Sequence, residues 1–391
     1  MDPPRSRHLA GLAAAAALLS SLAPPAGAIV RRDDRPDSAY RALAARPHPA
    51  CVIANLANGT LIAPRWVLTA AHVADQASPY AMHVRIGDVT VPYDSVRFHP
   101  GAFLDRDSWV DLALLHLARP VEAVTPAPPY PDSDEAGRTV LFLGTGAPGE
   151  GRNGPGKQDH RWRGAVNRVI EATPRVVRFR FDAPPEGEEL EGISGPGDSG
   201  GPALIERDGR LWIAGVSSTN HSPEQQEKCT YGTIETYARV STQRAWIDSI
   251  AAGGTSPGWD WTPPRALAAD GWPAHPLVPA VRAWFDARNA NDPERLEACF
   301  TAHADSAYRA RRTPAQRAAA YGELWTTFGR YTPVAWSRRH DGTLGVLVAA
   351  EKGGLWLDYR FVPSPGGDGR LTRIESIDLN APGESFSWPP R

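Results

Sequence analysis

Between Ile29 and Ala252 the chain is cut into short aliphatic and β-branched runs, and this punctuation limits its possible folds more than any other feature. Val52 to Leu56, Arg65 to Thr69, His83 to Ile86, Leu112 to Leu117, Val140 to Leu143 and Val176 to Phe181 are such runs. Gly, Pro, Asp and Asn stand between them, as strand–turn alternation requires. Many short strands without intervening helical periodicity point to an all-β sandwich or barrel. Thr242 to Ala251 is the exception: Trp246, Ile247 and Ile250 at helical spacing predict one closing helix.

Past Gly253-Gly254-Thr255-Ser256-Pro257-Gly258, a linker by composition, the pattern changes. Leu277, Val281, Trp284 and Phe285 mark a helix, and Asp292-Pro293 caps and starts another. Thr313-Pro314-Ala315-Gln316 is a capping-box start for a third helix, to about Phe328. Strands follow, with Leu355, Leu357, Tyr359 and Phe361 alternating with Trp356, Asp358 and Arg360, which predicts one buried face. A chain of 391 residues exceeds what one core usually organises. The expected plan is therefore residues 1–28 as a targeting segment, 29–252 as the β-rich domain, 253–270 as a linker and 271–391 as an α+β domain.

The targeting segment has a basic start at Arg5, Arg7 and His8, then an apolar stretch from Leu9 to Leu22. Pro24 and Pro25 break it, and Ala26-Gly27-Ala28 supplies the small residues a signal peptidase needs. The stretch is too short to span a bilayer comfortably, and no later run of about 18 apolar residues exists, so the expectation is export to a periplasm or medium. The formal net charge of −2 gives no nucleic-acid footprint and no polybasic membrane anchor. Three cysteines, Cys51, Cys229 and Cys299, without a C-x-x-C or histidines at metal-ligand spacing, imply neither a zinc framework nor a disulfide-rich scaffold. No metal or cofactor is expected.

Three local patterns carry chemistry, in the order His, Asp, Ser. Trp66-Val67-Leu68-Thr69-Ala70-Ala71-His72 is a strand feeding a histidine through small residues. Asp111-Leu112-Ala113-Leu114-Leu115 is an acid opening an apolar strand, and Gly195-Pro196-Gly197-Asp198-Ser199-Gly200-Gly201-Pro202 is a serine in a glycine-rich turn. A serine hydroxyl becomes a nucleophile when an imidazole takes its proton, and the imidazole needs a carboxylate to fix its tautomer. Glycines around Ser199 let the backbone turn sharply, so that the N–H groups of Gly197 and Ser199 can converge on a developing oxyanion. Singly, each pattern has a bland counterpart: a packed histidine, a turn aspartate, an ordinary loop.

Together these residues make 29 to about 252 resemble the trypsin/chymotrypsin family of double β-barrel serine proteases, most nearly its bacterial members. The resemblance implies a mainly β chain: a double six-stranded barrel followed by a smaller α+β domain. It implies His72 as general base, Asp111 as its orienter, Ser199 as nucleophile and Ser217 as the serine set against the buried aspartate. It places Ile193, Thr219 and Glu235 at the specificity pocket. It also implies an ion pair between an Ile29 N-terminus and Asp198, although Arg31 and Arg32 stand where relatives have glycines. The cysteines that usually bracket the catalytic histidine are missing, Val73 standing in one position, and Gly195 stands at one end of a second usual pair whose other end falls near Cys229. The second domain resembles the nuclear-transport-factor-like and cystatin-like α+β cones in pattern alone.

The leading expectation is a secreted serine endopeptidase acting on protein or peptide substrates. An inactive protease fold used for binding, or an esterase sharing the nucleophile, are the alternatives. The cone would bind a substrate, partner or ligand, and His303, His340 and Asp341 there read as solvated surface. Two sequons, Asn58-Gly59-Thr60 and Asn220-His221-Ser222, read as chance.

Overall fold

A computed structural model describes residues 29–380 apart from 55–56, 105–108, 222–228, 259–260, 263, 268–270 and 340. The segment 1–28, Ser222 and His340 thus lie outside the described residues. These divide into two compact units: one holds 29–77 and 82–258, the other Ser78–Ala81 and the residues from 261 on.

The first unit contains two closed six-stranded antiparallel barrels. Around the first run Ala50–Ile53, Ala57–Ala63, Trp66–Thr69, Ala113–Leu117, Val89–Phe98 and His83–Ile86. Around the second run Arg163–Ala172, Val176–Arg180, Ile234–Arg239, Arg210–His221, Pro202–Arg207 and Thr139–Gly144. The expected short strands recur here, and closure leaves no open sheet edge. Each barrel fills its interior with the inward residues of alternating strands: in the second, Phe142 stacks on Tyr237 at 5.0 Å between centroids, with Phe179 edge-on to both. The closing helix is Arg244–Ala251, with Ile247 and Ile250 buried. Beyond it the linker is not slack. The Phe98 N–H donates to the Pro257 carbonyl at 2.8 Å, and Arg97 bridges Gly258, so Ser256–Gly258 extends the first barrel.

The second unit is the smaller α+β region. Helices Val278–Ala290, Pro293–His303, Ser306–Ala310 and Pro314–Phe328 precede most of a five-stranded antiparallel sheet. Both predicted caps are present: Asp292 accepts from the Glu294 and Arg295 N–H groups, and Thr313 and Gln316 close a reciprocal capping box. Trp284, Tyr359 and Phe361 meet in the core between helices and sheet.

One expectation fails here. Asp358 and Arg360, assigned to an open face, are buried, so strand Trp356–Pro363 is enclosed on both sides. The pair can be buried because Arg360 reaches Asp358 at 3.4 Å and lies over the Trp261 ring at 5.3 Å. Tyr80, from the short segment assigned to this unit, is also buried and donates its hydroxyl to the Gly345 carbonyl at 2.9 Å. Asp341 proves to be a turn residue, its carboxylate accepting from the Thr343 N–H. His303 closes the helix Pro293–His303 as a basic residue in its last turn.

Candidate active site

Strand pairing brings the histidine and aspartate together. Thr69 lies opposite Ala113 in the first barrel, so residues just past the end of one strand and just before the start of the other emerge side by side. His72 is then the second residue of helix Ala71–Gln76, and Asp111 precedes strand Ala113–Leu117. His72 Nδ1 lies 2.7 Å from Asp111 Oδ2, and the His72 backbone N–H donates to Asp111 Oδ1 at 3.0 Å. Asp111 is only 2% exposed. Burial pushes its pKa up, but the bond and charge of His72, then Ser218, outweigh that, and the carboxyl ends below its ordinary value. A group held low this way loses its contribution as pH falls through the folded value and keeps it above the ordinary one.

The serine on that carboxylate is Ser218, whose Oγ donates to Asp111 Oδ2 at 2.6 Å. This corrects the assignment to Ser217, whose side chain interacts with Tyr237 instead. The reason is a register shift between Ser217 and Thr219 where this strand pairs with Ile234–Arg239. Adjacent serines cannot be distinguished by a sequence that does not show the bulge. Ser218→Ala is expected to lower kcat/KM about tenfold, the effect of losing one charge-assisted hydrogen bond of roughly 1.5 kcal/mol, with KM little changed. Steady-state kinetics on a peptide ester check it, and Ser217→Ala should be the weaker variant.

Ser199 sits half-buried in the turn before strand Pro202–Arg207. Its carbonyl accepts from the Asn58 N–H at 2.9 Å, and the Gly200 N–H donates to the Ser217 carbonyl at 2.9 Å. Gly197 and Gly200 have φ of +92° and +78°, backbone open to glycine and strained for other residues. A Cβ on Gly200 would collide with the Thr69 hydroxyl and the Asn58 carbonyl, so the turn lies flush against the strand that leads to His72.

Asp198 points the other way. Fully buried, it accepts from the Gly195 N–H at 3.0 Å and the Gly146 N–H at 3.1 Å. Burial pushes it up to about 7 despite these donors. Among the described residues no Lys, Arg or His forms an ion pair with it. Ile29, 1% exposed, packs with Tyr40, Tyr130 and Phe142, and Val30 pairs with Ile193. Arg31 and Arg32 have built slots. Arg31 reaches the Arg35 carbonyl at 2.6 Å and Glu150 at 2.7 Å. Arg32 donates to the carbonyls of Glu186 and Glu188, each at 3.0 Å, and pairs with Asp34.

The residues assigned to the specificity pocket part company. Ile193 is buried in a small cluster with Val30, Phe181 and Cys229. Thr219 lines a cleft of about 960 Å³ beside Asp111, walled also by Trp109, Ile170, Arg175 and Ser218. Glu235 is buried, accepts from the Ser194 N–H at 3.0 Å, and is pushed up to about 8 by burial and, less, by the nearby Asp198 charge. Ser194, which sequence reasoning missed, also hydrogen-bonds the Tyr237 hydroxyl. Cys51, Cys229 and Cys299 are buried thiols outside any disulfide. His116 packs edge-on to Trp66 and pairs with Asp94 at 2.7 Å. His160 has φ of 55° in the loop before strand Arg163–Ala172. Asn220, of the second sequon, donates to Cys229 Sγ.

Two six-stranded barrels meeting at a His–Asp pair and a glycine-bound serine turn define the class of serine-type peptidases. The trypsin family model matches residues 40–247, just over half of the chain, and the chain belongs to the trypsin family. Protein or peptide substrates follow at the family level. No helix among the described residues is long and apolar enough to cross a membrane.

Proposed function

We propose that the chain is an exported serine endopeptidase with His72, Asp111 and Ser199 as its catalytic triad. The observation that carries the reading is the buried Asp111 carboxylate, gripped by His72 Nδ1 at 2.7 Å and Ser218 Oγ at 2.6 Å. A carboxylate so held keeps the Nδ1 proton in place, leaving Nε2 as the base. His72 takes the Ser199 proton as Oγ attacks the scissile carbonyl. The N–H groups of Gly197 and Ser199 stabilise the oxyanion, and the proton passes to the leaving amine. Water, activated by the same imidazole, then hydrolyses the acyl-enzyme and regenerates Ser199. No cofactor or metal enters this scheme.

Specificity follows from the acid at the base of the Ser194–Tyr237 group. Because Glu235 is pushed up to about 8, it is largely protonated at neutral pH and presents no fixed anion to Lys or Arg. Small or medium apolar side chains before the scissile bond are the expected preference, with basic residues the alternative through ionised Glu235. A raised carboxyl costs stability as pH climbs from its ordinary value through 8. Glu235→Gln should therefore raise Tm at pH 9 and leave it nearly unchanged at pH 5. Calorimetry at the two pH values checks the stability claim, and mass spectrometry of a digested peptide library checks the cleavage preference. Exclusive cleavage after Lys and Arg, abolished in Glu235→Gln, would reverse the preference.

A labelled fluorophosphonate, together with the peptide library, tests the reading as a whole. Labelling at Ser199 with peptide cleavage supports it; absence of both would favour a binding module, and labelling with ester turnover alone an esterase. The C-terminal α+β unit is proposed as a substrate-binding, targeting or assembly module.

A further inference from the structure

Asn58 opens a glycosylation sequon, yet it is fully buried in strand Ala57–Ala63, beyond the reach of any glycan transfer to the folded chain. Its bonds converge on the nucleophile. The backbone N–H donates to the Ser199 carbonyl at 2.9 Å, and its own carbonyl accepts from the Thr69 hydroxyl at 2.8 Å. In the side chain, Nδ2 donates to Thr145 Oγ at 3.0 Å and to the Cys51 carbonyl at 3.3 Å, while Oδ1 accepts from the Thr145 N–H at 3.3 Å. Three of the four hydrogen bonds an amide can make are thus used, all on backbone or a buried hydroxyl. The next residue along, Gly146, gives its N–H to the Asp198 carboxylate.

We propose that Asn58 is a positioning residue for the oxyanion hole. The hole's central donor, the Ser199 N–H, belongs to the Asp198–Ser199 peptide. On one side of that peptide the Asn58 backbone holds the Ser199 carbonyl. On the other, the Asn58 side chain fixes Thr145–Gly146, which fixes the Asp198 carboxylate. One buried residue braces the peptide from both ends. The turn has no slack to compensate for losing this brace: a Cβ on Gly201 would strike the Asp198 and Leu143 carbonyls, and one on Gly200 the Asn58 carbonyl. None of the three thiols contributes a covalent tie. Oxyanion donors act through position, so a small displacement lowers the rate with little effect on ground-state binding.

The inference rests on the proteolytic reading and is tested in the full-length protein. Asn58→Ala, Thr145→Val and Thr145→Ser are compared after counting competent sites with a fluorophosphonate. For Asn58→Ala, kcat per competent site should fall about 10–100-fold, short of the 10²–10³ for losing a donor outright, with KM changed less than about threefold. A peptide aldehyde, whose adduct needs the hole, should bind correspondingly more weakly, while a peptide product should bind unchanged. Thr145→Val should lose part of the rate, Thr145→Ser should restore it, and the double variant should be no worse than Asn58→Ala. A lowered Tm with unchanged kcat per site would show a purely structural residue and overturn the proposal. Should Asn58→Ala not fold, Thr145→Val carries the test alone, and an unchanged kcat there is equally decisive. A wild-type protein that neither labels nor cleaves overturns the proteolytic reading, and this proposal with it.

Discussion

Ser199→Ala is expected to lower kcat by about 10⁶ and leave the fold intact, because the members of such a triad act as a unit. The bond that seats this residue runs from the Asn58 N–H to its backbone carbonyl, and alanine keeps it. Alanine also fits the half-buried site without strain, so Tm should move by no more than a degree or two. His72→Ala should cost nearly as much. Asp111→Asn should cost about 10⁴, since an amide would favour the wrong imidazole tautomer. These three losses should not add: the double variant Ser199→Ala/His72→Ala belongs at the level of Ser199→Ala. Single-turnover kinetics with an activated peptide ester, on protein of verified Tm, make the measurement. A Ser199→Ala protein retaining more than about a hundredth of wild-type activity would remove the serine from the chemistry.

What the sequence shows of this molecule and what it hides separate along physical lines. Barrel strands were legible where turn residues cut the aliphatic runs, as at His83–Ile86 and Trp66–Thr69. The long strand Arg210–His221 was not, because its Trp212, Thr219 and His221 blur the alternation and a bulge breaks its register. That bulge also hid which serine meets Asp111. Local chemistry survived well: Asp292-Pro293 and the Thr313–Gln316 box sit where their side-chain oxygens predict. Long-range burial did not. Asn58, Glu235 and Arg360 are polar residues taken inside by partners distant in sequence, and no local pattern encodes such partners. Helix Asp37–Ala44 escaped for the same reason, its Tyr40 reaching the Glu191 carbonyl at 2.9 Å. The His72, Asp111 and Ser199 motifs stand out in the sequence because they are local; the contacts beneath them do not.

Blocking the amine of a chain that begins at Ile29, by acetylation or one extra residue, is expected to lower kcat about 10²–10³-fold, the value of an oxyanion donor left unordered. The reason lies in Asp198. Its carboxyl is fully buried, held by backbone N–H groups of Gly195 and Gly146, and pushed up to about 7 by that burial. Val30 is already paired with Ile193, and Arg31 and Arg32 are seated by Glu150, Glu186 and Glu188, so the residues that follow Ile29 have their contacts without any glycine. An ammonium at Ile29 would pair with this carboxylate, and signal peptidase cleavage after Ala28 would create it with no further processing. The signs of the pH effects follow. Paired, the ammonium has a raised pKa, so its contribution is complete below the free value of about 7.7–8.0 and is lost as pH rises through the folded one. Asp198, lowered by the same pairing, loses its contribution as pH falls. In the blocked protein Asp198 keeps its raised value, and its ionisation costs stability from the ordinary carboxyl value up through about 7. The free-amine form should therefore keep its advantage over the blocked form up to about pH 8 and lose it both as pH rises further and as it falls through the paired Asp198 value, while the blocked form stays low throughout. Asp198→Asn should bring both forms to the same low rate. The two N-termini can be made by expression behind a cleavable tag and confirmed by intact mass. Equal activity of the free and blocked forms across this range would show that the Ile29 amine plays no part in ordering the nucleophile loop.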